Sequence, residues 1–511
     1  MANFSRGSEV IVLTYRYRHP PAPGAYANQI SGQFTCTMDN EQAAGYTIRH
    51  VTGGYEFPSM SDAPAETQDR RKLNARHVQF IAIGGAIGAG LFVGSSETIN
   101  KAGPSVLLAY GACGFVIFLI ARALGELIVK HPEAGGFSAY ANTYIGEWAG
   151  FVTGWSYWLN WVLVVIAEIT AVGLLIRFWL PQIPQWLPGL ITLVGVWWVN
   201  LMAARLFGET EFVITLVKVL TIVLLIVIGG TAIALHHTSS FGAATVRNLW
   251  TDGGFLPSGA LGLINVLPLI LFSFGGVEVI GVAAAEVADP AKSVPRAINS
   301  TVIRILLFYV GSLAVVMSLV PWTSIPSGSS PFVLAFGALG IRGAAALVNF
   351  VLLTAIVSAC NTGVFATSRV LRGLALVGQA PRSLAVLNRR GVPTPALAVS
   401  VGSMLLGVAL NYIAPKQVFD VIMRMDAALL LWIWLTIVWS HMNYRRHHQI
   451  DSQNVAFGLP GAPYSNWLVM AFIAFICAFS FTDIRSAAIF GLSILWFVAL
   501  GVLHSHLKHK R

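Results

Sequence analysis

From about Val78 to Leu507, apolar runs of about twenty residues or more alternate with short polar stretches. Runs this long, apolar on every side, predict helices that cross a bilayer rather than helices laid on a soluble core. They fall at roughly 78–98, 104–129, 144–177, 187–204 and 211–236. The next five are roughly 260–285, 297–320, 343–376, 394–413 and 417–443, and two more follow at 464–482 and 486–507. The pattern therefore predicts about twelve transmembrane helices, each near the length a bilayer requires.

Two of these runs are interrupted by glycine. The first reads Ile83-Gly84-Gly85-Ala86-Ile87-Gly88-Ala89-Gly90-Leu91-Phe92, and the sixth reads Leu271-Phe272-Ser273-Phe274-Gly275-Gly276-Val277-Glu278. Glycine is a poor helix former, so such clusters mark places where a helix unwinds. Unwound backbone at membrane depth is tolerated only inside protein or along a cavity. A matched pair of breaks in two halves of a chain points to the substrate site of a secondary transporter.

Five runs followed by five more predict an inverted pair, because a unit with an odd number of crossings re-enters the membrane with opposite topology. The first run of each unit carries the break. The expected fold is an all-α polytopic membrane protein of LeuT type: a 5+5 inverted repeat, about twelve transmembrane helices, with the first and sixth broken.

Composition agrees with the pattern. Of 511 residues, 56% are hydrophobic and 11% charged, with a mean hydropathy of +0.70. A soluble chain carries about a quarter charged residues. The net charge of +10 suggests no nucleic acid partner, because the cations flank apolar runs. Arg70, Arg71, Lys72, Arg76, Lys130, Arg205, Lys292, Arg296, Arg372, Arg382, Arg389, Arg390, Arg445, Arg446 and Lys508 gather on one side. Lys101, Arg177, Arg247, Arg342, Lys416 and Arg485 are scattered on the other. That asymmetry predicts both termini in the cytoplasm. Cys36, Cys113, Cys360 and Cys477 show neither disulfide nor metal spacing.

Three segments follow. Residues 1–77 read as a disordered cytoplasmic lead-in, polar and without periodicity. Met60 opens Met-Ser-Asp-Ala-Pro-Ala-Glu-Thr and is a candidate native start, the alternative being a true flexible tail. Residues 78–507 form the transmembrane domain, and 508–511 a short cytoplasmic tail.

Chemistry is expected at the breaks. A broken helix leaves N–H groups unpaired at the start of its second half and C=O groups at the end of its first. The N–H end also carries the positive pole of the helix dipole. Donors from Gly88, Ala89 and Gly90 suit a carboxylate, and carbonyls near Ala86, Phe272 and Gly275 suit an ammonium group. Such a receptor reads an α-amino-acid head group from backbone alone. Close helix packing through small residues is the other reading of these glycines.

Charges within apolar runs are functional candidates. Lys218, in Val217-Lys218-Val219, is expected to exchange protons or stand in for a coupling cation, or else to snorkel to the interface. Glu278 follows the sixth-run break, where it would gate the cavity or bond the broken backbone. Glu168 lies deep in the third run. Glu126 ends the second and reads equally as a solvated end charge. Ser358, Asn361 and Thr362 on the eighth run either line the cavity or bond neighbouring helices. The chain shows no nucleotide loop, zinc spacing or hydrolase triad, so no cofactor, metal or enzymatic activity is expected.

At these residues the chain resembles the amino acid/polyamine/organocation superfamily, in its bacterial amino acid transporter branch. The motifs are Ile81 to Phe92, Ala102-Gly103-Pro104-Ser105, Arg122-Ala123-Leu124-Gly125-Glu126-Leu127 and Phe207-Gly208-Glu209-Thr210-Glu211-Phe212. Phe272 to Glu278, Asp289-Pro290-Ala291-Lys292-Ser293-Val294-Pro295-Arg296 and Asn361-Thr362-Gly363 continue them. The resemblance implies proton-driven amino acid uptake by alternating access. It implies that Ala86, Ile87, Gly88, Ala89 and Gly90 hold the substrate with Phe272, Ser273 and Gly275. It further implies that Lys218 couples to protons, that Glu278 is the sixth-helix glutamate, and that Phe272 closes over the substrate. Ser293 onward looks most like proline-type and aromatic-type permeases. Many relatives carry Thr where Ala89 stands, and Asn-Ser where Asn361-Thr362 stands.

The expected function is therefore a proton symporter importing a neutral L-amino acid, proline-like or aromatic/aliphatic, across a bacterial inner membrane. An exchanger on the same fold, or an amino acid sensor built on it, are the alternatives. The partners are the amino acid, protons and the lipid bilayer, with the oligomeric state open.

Overall fold

The computed structural model describes residues 10–13, 34–37, 87–130, 136–201, 205–279, 281, 290–414, 417–448 and 457–509. The chain divides into two units, Met1–Arg71 and Lys72–Arg511. The first contains an antiparallel pair, β1 (Val10–Leu13) with β2 (Phe34–Thr37), in which Val10 lies opposite Thr37. Most of these residues are β-branched, the type that favours strands. The lead-in read as disordered thus holds one short strand pair, while Met60 lies outside the described residues.

The second unit is helical. Helix α1 (Ala89–Phe92) leads into α2 (Gly94–Ala102), and a 3-10 turn at Gly103–Ser105 joins α3 (Val106–Lys130). Next come α4 (Phe137–Tyr144), α5 (Glu147–Ile176), α6 (Trp186–Asn200) and α7 (Arg205–Ala234). A two-residue ribbon, β3 (Thr238–Ser239) with β4 (Gly242–Ala243), follows, then α8 (Asn248–Thr251). Helices α9 (Gly259–Asn265) and α10 (Leu267–Phe274) share the sixth run. The rest are α11 (Pro290–Leu319), α12 (Pro331–Ala338), α13 (Ala344–Leu376), α14 (Thr394–Ile413), α15 (Val418–His447), α16 (Tyr464–Ser480) and α17 (Ile484–His509).

Among the described residues, seven helical stretches are long and apolar enough to cross a membrane, and four shorter apolar helices accompany them. Their burial is graded. The apolar stretch of α5 is 78% buried and that of α15 72%, against 22% for α17. Helix α5 packs on α4, α6, α13, α14, α15 and α17, and so forms the middle of the bundle. Helices α6, α7, α14 and α17 turn large apolar side chains outward, among them Ile191, Trp198, Val213, Leu406 and Leu495. Outward apolar faces around a packed interior are what a bilayer demands.

The described part of the first glycine cluster and the whole of the second leave helical geometry. Gly88 is extended, with φ −138° and ψ −151°, and α1 starts after it. Ile83, Gly84, Gly85 and Ala86 lie outside the described residues. In the sixth run, α10 ends at Phe274 and the chain turns through Gly275 to Glu278. Gly276 there has φ +99°, a conformation open mainly to glycine. The predicted single run 260–285 is thus interrupted by a turn from Gly275 to Glu278, because Gly275 and Gly276 sustain a helix poorly, and Val279 and Gly281 are helical again.

Candidate functional site

The two breaks meet. A Cβ placed on Gly90 would fall 2.8 Å from the Ser273 Cα and 2.9 Å from Phe272 Cδ1, so only glycine permits this approach of α1 to α10. Two tyrosines fix the sixth-run side. The Tyr309 hydroxyl on α11 donates to the Ser273 carbonyl at 2.6 Å, and the Tyr110 hydroxyl lies 3.3 Å from Ser273 Oγ. Phe272 is nearly buried and packs edge-on against Phe419 of α15, with ring centroids 6.4 Å apart.

Each break is capped by a buried carboxylate. At the first, the Ala89 N–H donates to Glu168 Oε1 at 3.0 Å and Oε2 at 3.1 Å. A Cβ on Gly88 would lie 2.2 Å from the same Oε1, so the carboxylate rests directly on the glycine. At the sixth, the Gly276 N–H donates to both Glu278 oxygens at 3.1 Å. Trp434 of α15 lines the same small cavity as Glu278. An orphan N–H at a helix break is a ready anion site, and here the chain's own acids occupy both.

Lys218 is fully buried on α7, and its charge acts on Glu168. It does not snorkel to the interface, because no part of it reaches the surface. Glu126 is not a solvated end charge. Its oxygens accept two bonds of 2.8 Å from Arg445 and one of 2.7 Å from the Leu459 N–H. His441 Nε2 lies 3.0 Å away. Asn466 Nδ2 approaches His441 Nδ1 at 2.9 Å and donates to the Val438 carbonyl. This cluster ties α3, α15 and the start of α16 together, away from the breaks.

On α13, Ser358 and Thr362 are buried. Asn361 accepts a bond of 2.8 Å from Asn200 of α6, an interhelical pair rather than a bare cavity wall.

The sequence pattern did not single out Asp426 or Asn160. Asp426 is fully buried on α15, and Asn160 Nδ2 of α5 donates to its Oδ1 at 2.5 Å. The signal was present but shared: an acid within an apolar run, the rule that marked Lys218, here two residues from Arg424.

The sequence profile of the amino acid permeases matches residues 77–508. The chain belongs to the amino acid permease family. The permease is 43% identical over 441 residues to the uncharacterized transporter YdgF of Bacillus subtilis, covering 86% of this chain and 96% of that one. It is 43% identical over 435 residues to the aromatic amino acid transport protein AroP of Escherichia coli K12, covering 85% and 95%. The amino-acid permease AapA of Bacillus subtilis is 42% identical over 435 residues, covering 85% and 94%. The permease is thus a multi-pass membrane protein of the amino acid/polyamine/organocation superfamily whose family transports amino acids.

Proposed function

We propose that this permease imports a neutral L-amino acid, aromatic by preference, together with a proton. One observation carries the reading. Glu168 holds the Ala89 N–H, the donor an amino acid carboxylate would need, and Lys218 acts electrostatically on that same Glu168. When a proton neutralises Glu168, its hold on the N–H weakens, because bonds to ionised acceptors are roughly twice as strong. The substrate carboxylate then takes the N–H at the positive end of α1. Carbonyls at Ala86, Phe272 and Gly275 receive the ammonium group, with Ile87, Ser273, Ser358 and Asn361 around them.

The aromatic preference rests on AroP, whose name states that class, and on Phe272 and Phe419 beside the break. The same reading takes the domain from 78 to 507 as a 5+5 inverted repeat of twelve crossings in a bacterial inner membrane, termini inward. A zwitterion entering with one proton carries charge, so the membrane potential contributes about 2.3 kcal/mol per 100 mV.

Uptake of labelled phenylalanine into proteoliposomes tests it, with an imposed pH gradient and unlabelled tyrosine, tryptophan and proline as competitors. The expected result is accumulation that collapses with a protonophore, falls with the aromatic competitors, and is lost in Lys218→Ala. Accumulation that ignores the gradient and requires internal amino acid would replace symport with exchange.

A further inference from the structure

Phe419, Met423, Asp426, Leu430 and Trp434 recur every three or four residues and so share one face of α15. That face lies on the sixth-run break and on the start of α2. Phe419 packs on Phe272, Met423 meets the position a Cβ on Gly94 would take at 2.8 Å, Leu430 does the same for Gly275 at 3.2 Å, and Trp434 lines a small cavity with Glu278. Asp426 is the acid in the middle of this face. Its Oδ1 is held by Asn160, and its Oδ2 is buried with no hydrogen-bond partner among the described residues.

The electrostatic surroundings of Asp426 are sparse. Among the described residues, Glu278 is the charged group that acts on it. Helix α5 adds Tyr157, on which Glu278 also acts. From α3, Glu126 is committed to Arg445, and Tyr110 faces Ser273. On α15 itself, Arg424 is engaged by Asp420 and Ser486, while His441 lies against Glu126. From α17, Ser486 also donates to Asp483. No cation pairs with Asp426 among the described residues. An isolated buried carboxylate is costly to keep ionised.

We propose that Asp426 is a second proton-carrying carboxyl of the permease, on the helix face that packs on the sixth-run break. This rests on the symport reading above. With the proton bound, the O–H sits on Oδ2 while Asn160 donates to Oδ1. Release breaks that O–H, hands the proton to a water, and leaves a carboxylate held by Asn160.

The test uses Asp426→Asn, which keeps an acceptor for Asn160 and removes the proton site. Two readouts separate the claims: gradient-driven uptake against pH, and substrate-for-substrate counterflow without a gradient. Wild type must first accumulate substrate on a pH gradient; its failure to do so removes the symport reading itself. Given that, Asp426→Asn is expected to keep counterflow within about threefold, lose about tenfold of gradient-driven accumulation, and lose one protonated-carboxyl band in infrared difference spectra. Should that variant not reach the membrane, Asn160→Ala carries the test. Removing the donor to the ionised form is expected to move the pH profile of uptake alkaline by about one unit. An unchanged pH profile and an unchanged carboxyl band in either variant overturn the proposal.

Discussion

Gly90 and Ser273 meet backbone to backbone, with 2.8 Å between the Ser273 Cα and the place a Cβ on Gly90 would occupy. The first thing that methyl would strike is main chain held by the Tyr309 hydroxyl, not a side chain free to rotate. Gly90→Ala is therefore expected to destabilise the permease by about 1–3 kcal/mol, the cost of overpacking. Uptake at saturating substrate should fall severely. Thermal unfolding in detergent and initial uptake rates check both, and wild-type behaviour in each would mean the breaks sit further apart.

Among the described residues, Glu126 is the most heavily bonded acid. Glu126→Ala removes the buried carboxylate that the Arg445 guanidinium bonds. Removing one partner of a buried pair costs about 3–5 kcal/mol. Glu126→Gln, which still accepts from the Leu459 N–H, is expected to lose less. Unfolding midpoints of the two variants should fall in that order; a Glu126→Gln midpoint equal to wild type would show that the charge contributes nothing.

Tyr309→Phe removes one donor without altering the ring contacts with Phe274 and Tyr110. It is expected to cost about 1 kcal/mol of stability and to raise the KM for uptake, because the Ser273 carbonyl loses its anchor. Tyr110→Phe, whose contact with Ser273 is longer at 3.3 Å, should have the smaller effect on KM.

Asp483 begins α17 as its N-terminal cap, accepting the Ser486 N–H and hydroxyl, both at 2.9 Å. Those two bonds hold its carboxyl below the usual carboxylate range. Because the folded value is depressed, the contribution is present above the unfolded carboxylate pKa of about 3.9 and is lost as pH falls through the folded value. Asp483→Ala is expected to cost about 1 kcal/mol near neutrality and nothing in strong acid. Unfolding of wild type and variant across pH measures it; a deficit that persists in acid would assign the cost to something other than the charged cap.

The helices were legible because lipid imposes a single rule on every position of a run. The run 394–413 returns as Thr394–Ile413, and 343–376 as Ala344–Leu376. The breaks were legible for the same reason, since few residues besides Gly275 and Gly276 would interrupt so apolar a stretch. Contacts across the bundle were not. Nothing local in Ala167-Glu168-Ile169 announces a bond to Ala89, 79 residues away. Likewise Glu126 finds Arg445 and Asn361 finds Asn200 only through the packing of whole helices. Asp426 was missed for a different reason: it stands two residues from Arg424 near the start of its run, where a charge pair at the membrane edge is the ordinary expectation, and only its burial separates the two.

The carboxylate resting on the first break has a consequence for how tightly substrate can bind. Glu168 is tethered within bonding distance of Ala89, so it competes at an effective concentration no free amino acid approaches. On the proposed reading, a substrate binds only during the fraction of time its built-in rival has let go, and its apparent affinity is lowered by that fraction. The same rival recaptures the N–H once the substrate leaves. A carrier that must load on one side and unload on the other thereby avoids becoming a trap.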